Sequence, residues 1–528
     1  MRNDEGAILI RLSIAKNKVK FQEAVFSNDI VRSISHPETS PEIENGIRAN
    51  FMYFPIMKSD ERVDQPIPKK EISLGLALVP MIAMGAMIGV LHLWLGVDLK
   101  FVLLLSAIVA GITATYYGIR FNVLLTDFAE NIKKAVPAIL ILIAIGGIVG
   151  SWMYSGTVPY LIYYGLKFLN PSFVLVSAFL VTAIVSTFTG TSWGSAATAG
   201  VAFIGIGHSL GVPLEMVAGA VLSGAFFGDK ISPISDTTNI CAMASEITVY
   251  QHIRGMLLNV SISGLITAIF FLILGLTLTT QTGDYQAVDN LLLELETSYN
   301  LNIFMLLPAV VVLVGGFKGY NPVVVMVGSS LMALAIGMIS NGFTMPDAAL
   351  SMISGFSTTM LGEGDYSASL SILLNRGGFE GMMTGAVLFC ILAIAFGSFM
   401  QSSGSLDLIM KALLRAIKST FGLIAAAFVA GAALNGLSGS GVFAILTTGQ
   451  LFRGPFKERK VPATVLSRSM ENSMTLLESL LPWHVTAIYM TATLGVSTLD
   501  YAPYAIFNIT GIILFFALVG IDIKRKKY

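Results

Sequence analysis

"GDKISPISDTTN" at residues 228–239 is a polar dozen residues between the apolar stretches "AGAVLSGAFF" and "ICAMA". It holds two aspartates, a lysine, a proline and five Ser, Thr or Asn residues. If Asp229, Lys230 and Asp236 faced lipid, they would together cost about 8–10 kcal/mol on the insertion scale. The stretch is therefore either a solvated loop or a site enclosed by protein. The enclosed site is favoured, because residues 472–484 are polar in an equally apolar setting.

Composition indicates a membrane protein. Of the 528 residues, 54% are hydrophobic and only 12% are charged, whereas soluble domains carry about 25% charged residues. Apolar runs of nearly membrane-spanning length recur along the chain. They lie at 72–94, 136–154, 172–189, 255–280, 302–316, 380–400 and 502–521. We expect an all-α polytopic membrane protein with about ten to twelve membrane segments.

Other classes find little support in the sequence. The formal net charge is zero, so no basic field points to nucleic acid. Cys241 and Cys390 sit in apolar surroundings without disulfide or metal-ligand spacing, which predicts a packing role. We find neither repeated filter rings typical of a channel nor an enzyme motif such as HExxH. An enzyme is not expected, and no cofactor is expected.

Charge patterning predicts the domain organisation. Residues 1–71 form a polar N-terminal extension, followed by a first membrane repeat at 72–281 and a second at 301–522. The acidic connector 282–300 lacks Lys and Arg and is expected outside, whereas the basic tail 523–528 is expected in the cytoplasm. We therefore predict a multi-pass protein of the cytoplasmic membrane with both termini cytoplasmic.

An internal repeat emerges when the sequence is compared with itself at a separation of 249 positions. "FTGTSWGSA" (188–196) then falls on "LSGSGVFAI" (437–445), and Val212-Pro213 falls on Val461-Pro462. Pro233 likewise falls on Pro482, and Asp229 on Glu478. Duplicated halves with polar segments interrupted by Gly or Pro are typical of secondary transporters, whose binding site forms where broken helices meet.

The first polar segment contains the groups that a hard cation needs. Pro233 disfavours helix at Ser232, so we predict a helix break that frees backbone carbonyls. These carbonyls and the side-chain oxygens suit Na⁺, for which we assign Asp229, Asp236 and Asn239. A carboxylate removed from water also binds a proton more readily, so Na⁺ and H⁺ can compete for it. Further candidate ligands in this segment are Ser232, Ser235, Thr237 and Thr238, with Lys230 either ion-paired or extending to water.

Candidate ligands in the second polar segment are Glu471, Asn472, Thr475, Glu478 and His484. Glu471 stands three residues after Arg468, which predicts an ion pair along one helix. Glu478 is the repeat mate of Asp229 and a candidate second proton site. His484 is either a pH-sensitive gate or an interfacial hydrogen-bonded residue.

Two runs of glycine and hydroxyl residues, 186–200 and 435–444, are typical either of tight helix packing or of re-entrant hairpin tips. The hairpin interpretation adds Thr191, Ser192, Asn435, Ser438 and Ser440 to the site. A further polar interruption, 356–366, places Glu363 and Asp365 in a loop.

The motifs "GDKISPISDTTN" and "LSR.ME…PWH…LGVSTLDYAPYAIFN" resemble those of the NhaC-type Na⁺/H⁺ antiporter family of the ion-transporter superfamily. The resemblance covers about residues 72–522. It implies two inverted repeats with paired hairpins and unwound helices, a homodimer, and transport of Na⁺ and H⁺. The matched positions are Asp229, Ser232, Pro233, Asp236, Thr237, Thr238 and Asn239.

The second motif departs from the family pattern. Asn472 stands where the family has Asp, Glu478 where it has Ser, and His484 where it has Asn. The favoured function is Na⁺/H⁺ antiport by alternating access. The alternative is Na⁺- and H⁺-coupled antiport of a small organic anion, such as malate or lactate, or of an amino acid on the same scaffold.

Overall fold

The structure, a computed structural model, describes residues 73–278, 285–362, 364–415 and 417–524. The predicted extension 1–71, Glu363 and the tail 525–528 lie outside the described residues. Within the described ranges every regular element is helical, which confirms the predicted all-α class. Nine described helices are long and apolar enough to cross a membrane, or ten if the bent pair Val288–Ser298 and Ile303–Phe317 forms one span.

The first half of the chain is a series of helices with short connections. They are α1 Leu74–Trp94, α2 Leu99–Tyr116, α3 Phe121–Ser155, α4 Thr157–Phe168, α5 Pro171–Thr189, α6 192–209, α7 Leu214–Ile231, α8 Asp236–Ala244 and α9 Val249–Leu278. The apolar run predicted at 136–154 is the end of a much longer helix, α3. The first turns of this helix are polar, so the apolar pattern did not predict that they belong to the same helix.

From α15 (Phe379–Ser402) onwards the second half follows the order of α3 to α9, and additional short helices precede that point. Its helices are α10 Tyr285–Ser298, α11 Ile303–Phe317, α12 Pro322–Asn341, α13 Met345–Ile353, α14 Ala368–Leu374, α15 Phe379–Ser402, α16 Ser405–Arg415, α17 Thr420–Ser438, α18 Gly441–Glu458, α19 Ala463–Glu478, α20 Val485–Leu494 and α21 Ile506–Lys524. Most of the acidic connector is thus the helix α10, and the chain bends by 98° between this helix and α11.

Large apolar side chains cover the outside of the helical bundle. Ile112, Leu265 and Ile339 are exposed on α2, α9 and α12, and Ile339 is 84% exposed. A soluble protein rarely leaves contiguous apolar surface of this kind open to water. The exterior is therefore the lipid-facing surface of a multi-pass membrane protein.

Helices α5 and α7 pack side by side in parallel. A Cβ on Gly224 would approach the carbonyl of Phe179 to 2.2 Å, and one on Gly228 would approach that of Ala183 to 2.5 Å, so residue numbers increase in the same direction along both helices. Because α5 and α7 are parallel, α6 between them must return in the opposite direction. Residues 171–209 therefore form a helical hairpin, hairpin 1, which is followed by broken helix 1 at 214–244.

The second half has the same arrangement. A Cβ on Gly431 of α17 would lie against Ser473 of α19, and four residues later Asn435 donates from Nδ2 to the carbonyl oxygen of Met474 at 3.1 Å. Helix α18 again returns between two neighbouring parallel helices. Residues 420–458 form hairpin 2, and residues 463–494 form broken helix 2.

Local geometry recurs at the separation of 249 positions. Gly190 and Gly439 end α5 and α17 with φ of +66° and +65°. The next residues, Thr191 and Ser440, are both extended and both accept a hydrogen bond from the backbone N–H three residues later. The hydrogen bond from Asn435 to the carbonyl oxygen of Met474 also has an equivalent in the first half, the bond from Ser186 to the carbonyl oxygen of Ala225. The inverted orientation of the two halves stays a prediction.

Candidate functional site

Two helix breaks form the centre of the site. Helix α7 ends at Ile231, Ser232 is extended with ψ of 123°, and α8 begins at Asp236, which confirms the break predicted from Pro233. The second break is longer, because α19 ends at Glu478 and α20 begins only at Val485. Both breaks interrupt apolar helices inside the bundle, so backbone groups that a continuous helix would pair internally become available.

The hairpin tips lie against these breaks. A Cβ on Gly190 would fall 2.6 Å from Cγ1 of Ile234, and a Cβ on Gly441 would fall 3.5 Å from Oε2 of Glu478. Each tip therefore contacts the break of its own half. The second part of each broken helix instead packs on the hairpin of the other half, since Gly449 meets Ala244 and Gly200 meets Leu494.

Asp229 and Glu478 are the acidic residues of these breaks. Both side chains are buried, at 6% and 7% exposure, and the two carboxylates are close enough to interact electrostatically. Asp229 interacts with Ser192 of hairpin 1 and with Ser235 just past its own break. Each half therefore contributes one buried acid supported by hydroxyl or amide groups.

Glu478 has equivalent support in the second half. Its carboxylate interacts with Asn435 of hairpin 2 and with Thr486, at the start of α20. Asn435 is held by its bond to Met474, and the second hydrogen of its amide nitrogen is available to the carboxylate. The carboxylates of Asp229 and Glu478 share one region of the protein, and each has partners from both its hairpin and its helix break.

Lys230 forms a separate buried ion pair across the two halves. Its Nζ lies 3.6 Å from Oε1 of Glu471, and it donates to Oγ1 of Thr475 at 2.6 Å and to the carbonyl oxygen of Glu471 at 3.1 Å. The two side chains are 1% and 0% exposed. A buried charge of this kind must be paired. Lys230 is thus bonded to broken helix 2 and does not extend to water.

The predicted pair between Arg468 and Glu471 is wrong. Among the described residues, Glu471 faces Lys230 and His252, and it accepts a hydrogen bond from Thr475 at 3.2 Å. Thr237, just past the first break, also donates to Oε1 of Glu471 at 3.4 Å. Spacing along one helix did not decide the partner, because a lysine from the other half comes closer.

Several predicted ligands maintain the first break. Asn239 donates from Nδ2 to the carbonyl oxygens of Pro233 and Ser235, at 2.9 and 2.7 Å, and Thr238 donates to that of Asp229 at 3.2 Å. These bonds satisfy carbonyls that the break releases. Asp236 is different, because it is exposed at the first position of α8.

His484 is buried and caps α20. The backbone N–H of Thr486 donates to its Nδ1 at 3.1 Å, and its Nε2 lies 3.0 Å from Oδ1 of Asn435. Since Nδ1 must accept and Nε2 must donate, these partners select the neutral imidazole with its proton on Nε2. Use as a pH gate would require this cap to break, and the burial places the residue away from an interface with water.

The remaining predicted residues lie at the hairpin tips and beside α9. Ser438 and Ser440 bond each other at the tip of hairpin 2, where the backbone N–H of Ser440 donates to Oγ of Ser438 at 3.2 Å. Asn472 accepts from Nδ2 of Asn259 at 3.4 Å. Ser232 is buried, and its Oγ has no hydrogen-bond partner among the described residues.

Sequence reasoning missed polar residues on the two long helices beside the breaks. His252 and Asn259 lie on α9 and Asn508 on α21, all buried. Asn259 and Asn508 are again 249 positions apart, and Asn508 donates to the carbonyl oxygen of Leu476 at 3.0 Å. A polar residue inside an apolar span is itself a signal of function. The sequence contains that signal at all three positions.

Two cavities flank the first half of the site. One of about 40 Å³ is lined by Thr189, Thr191 and Thr198 together with apolar residues of α11 and α12. The other, of about 390 Å³, is lined by Asn239 and other residues of α8, and by the connection from Ile247 to Val249. Within the described part of the chain, no three His, Cys, Asp or Glu side chains form a metal centre.

Comparison with known proteins shows the family of this chain. The model of the Na⁺/H⁺ antiporter family matches residues 69–244 and 224–521. This chain belongs to the Na⁺/H⁺ antiporter family. It is 36% identical over 474 residues to an uncharacterised Na⁺/H⁺ antiporter of Haemophilus influenzae, an alignment that covers 89% of this chain and all of that protein.

Two relatives from Bacillus subtilis differ in their named cargo. The Na⁺/H⁺ antiporter NhaC is 32% identical over 444 residues, which cover 83% of this chain and 96% of that protein. The malate-2H⁺/Na⁺-lactate antiporter is also 32% identical, over 440 residues that cover 82% of this chain and 92% of that protein. The family assignment therefore establishes a transporter, and cargo must be argued from the site.

Proposed function

We propose that this protein exchanges Na⁺ for H⁺ across the cytoplasmic membrane, with Asp229 and Glu478 as the groups for which the two ions compete. The observation that carries the proposal is that these two buried carboxylates, one from each helix break, lie within electrostatic range of each other. Two neighbouring carboxylates removed from water repel each other when both are ionised. Binding of either Na⁺ or a proton removes that repulsion, so each ion displaces the other.

The surrounding groups support a cation more than an anion. Lys230 is already neutralised by Glu471, so its charge is not available to a carboxylate cargo. The start of α8 has no side-chain cap from Ser235, but Asp236 occupies its first turn and supplies negative charge to that end of the helix dipole. Hydroxyl groups of Ser192 and Ser235 beside Asp229 provide further oxygen ligands suited to Na⁺.

The path of the chain supports a location of both ends of the membrane region on the same side of the membrane. If the two hairpins return to the side from which they enter, and each broken helix crosses once, the described residues make ten crossings. The connectors between α2 and α3 and between α15 and α17 then share a side with the end of α21. These connectors hold Arg120, Lys411 and Lys418, so that side is cytoplasmic by the positive-inside rule. The homodimer implied by the resemblance is part of this proposal.

Purified protein in liposomes tests the exchange. With an acid interior and a pH-sensitive dye inside, external Na⁺ is expected to dissipate the gradient, whereas choline is not. Asp229→Asn and Glu478→Gln should each reduce the Na⁺-dependent signal at least ten-fold while the protein remains monodisperse in detergent. Wild-type rates in both variants would remove these carboxylates from the mechanism.

The second candidate is antiport of a small organic anion, favoured by the similarity to the malate-2H⁺/Na⁺-lactate antiporter. The same liposomes distinguish it, by adding malate, lactate or an amino acid with and without Na⁺. If Na⁺ alone leaves the gradient intact and one organic solute dissipates it, Na⁺/H⁺ exchange is rejected and the organic cargo takes its place.

A further inference from the structure

His252 is a buried histidine that the exchange mechanism above does not use. It lies near the start of α9 and is 0% exposed. Its Nδ1 is hydrogen-bonded to Oγ of Ser467, and its Nε2 lies 3.8 Å from Oε2 of Glu471. Neither Nε2 of His252 nor Oε2 of Glu471 has a hydrogen-bond partner among the described residues. An orphaned nitrogen thus faces an orphaned carboxylate oxygen.

Each ring nitrogen of His252 faces a group that can accept a hydrogen bond when that nitrogen is protonated. The Ser467 hydroxyl can donate to Nδ1 or accept from it, and the carboxylate on the other side can accept from Nε2. The neutral ring and the imidazolium therefore both fit without repacking. His484 provides the contrast, because the backbone N–H of Thr486 points at its Nδ1, so a proton there would place two donors face to face.

The charged groups around His252 come from two neighbouring helices. Glu471 on α19 attracts a proton to the ring, and Lys230 on α7 opposes it. Glu471 lies between these two bases, with Lys230 at its Oε1 and His252 at its Oε2. The thiol of Cys241 also interacts with Glu471, and Arg468 packs along α9 at Gly255.

We propose that His252 and Glu471 form a second proton-binding pair, distinct from Asp229 and Glu478. A proton taken up from a hydronium ion breaks an O–H bond of that ion and forms an N–H bond at Nε2 of His252, so that an imidazolium faces the Glu471 carboxylate. Lys230 links this pair to the central acids, since it contacts Glu471 and interacts electrostatically with Asp229. The inference rests on the proposed Na⁺/H⁺ exchange and adds a proton site to it.

The pH profile of Na⁺-driven proton flux is the first test. Two linked protons make the acid limb of the profile steeper than one does. We expect the slope of log flux against pH to fall from about two in the wild type to about one in His252→Gln. Ser467→Ala should move the midpoint of that limb but keep its slope. His92→Gln, on α1, is the matched control and should leave the profile unchanged. An unchanged slope in His252→Gln overturns the proposal.

Nitrogen NMR of the imidazoles provides a test that does not depend on transport. The chain has five histidines, so ¹⁵N-histidine labelling of the intact protein in lipid gives few signals, and the loss of one in His252→Gln assigns it. We expect the His252 signal to change between neutral and protonated forms from pH 5 to pH 9, and that of His484 to remain neutral. A His252 signal that stays in one form overturns the proton-binding pair, even if Na⁺/H⁺ exchange holds. Titration without any Na⁺-dependent flux would instead reject the exchange alone.

Discussion

The two helix breaks share a scaffold and differ in chemistry. Asp229 and Glu478 occupy equivalent positions in the 249-residue repeat, and both are buried where the halves meet. Lys230 and Glu471 have no such counterparts, because the equivalent positions are Ser479 and Leu222. The repeat therefore separates the charges into a matched pair of acids, which we propose share an ion, and an unmatched ion pair that links the halves.

The breaks also differ in how they are held. At the first, Asn239 and Thr238 bond carbonyls that the break has freed, so side chains satisfy backbone acceptors. At the second, His484 satisfies a backbone donor at the start of α20. At the first break the donors lie on the helix that follows, α8, whereas at the second a side chain of the break itself caps the helix that follows, α20. Substitutions should therefore affect the two regions through different bonds.

The largest effect is expected at the unmatched ion pair. Lys230→Met leaves Glu471 as a buried carboxylate without its lysine, which should reduce stability by about 3–5 kcal/mol. The double variant Lys230→Met, Glu471→Gln should be more stable than Lys230→Met alone, because the uncompensated charge is gone. Thermal unfolding in detergent measures both. A double variant no more stable than the single one would show that the ion pair is not what stabilises this contact.

The hairpin tips come next, and they should differ from each other. Gly190→Ala requires a left-handed alanine and also pushes a Cβ to 2.6 Å from Ile234, whereas the Cβ of Gly439→Ala has only a contact at 3.8 Å. We expect the left-handed backbone of the alanine to reduce stability by about 1–2 kcal/mol at either tip. The close contact with Ile234 should reduce it further at Gly190.

Gly211→Ala is the control for the tip variants, since Gly211 has φ of +67° and open space around its Cβ. It isolates the cost of a left-handed alanine from the cost of the contact. Melting temperatures and flux should fall most in Gly190→Ala. Equal losses in all three variants would contradict the close contact of hairpin 1 with its break.

A smaller effect is expected at the helix caps. His484→Ala removes a side-chain cap from α20 and should cost about 1 kcal/mol. Ser235 precedes α8, and its side chain does not cap that helix. Ser235→Ala should therefore reduce stability less than His484→Ala does. Thermal unfolding of the two variants compares them directly. A larger loss in Ser235→Ala would reverse this assignment of the caps.

The smallest effect is expected at Asp236. Its side chain is exposed, whereas that of Asp229 is buried, so Asp236→Asn should keep Na⁺-driven flux within about two-fold of wild type, since an exposed charge is well screened. Asp229→Asn in the same assay is the matched comparison. An equal loss of flux in both variants would show that Asp236 belongs to the cation site, as predicted from the sequence.

Much of the fold was predictable because its signals are local. The apolar runs located seven of the spans, and Pro233 located the first break, since proline acts on its own backbone and on the preceding residue. Partners of charges were not predictable in this way. Glu471 has Arg468 one helical turn before it, yet it pairs with a lysine 241 positions away, because packing of the two halves decides which cation is nearest.

The sequence by itself determined a polytopic helical membrane protein, its internal repeat, its helix break and its family motif, all of which follow from composition and local backbone chemistry. Only the tertiary structure decided that Asp229 lies within electrostatic range of Glu478, that Lys230 pairs with Glu471, and that His252 faces the same carboxylate. The physical reason is that charges act through space. Which of them meet depends on how two distant halves pack, and no local pattern contains that information.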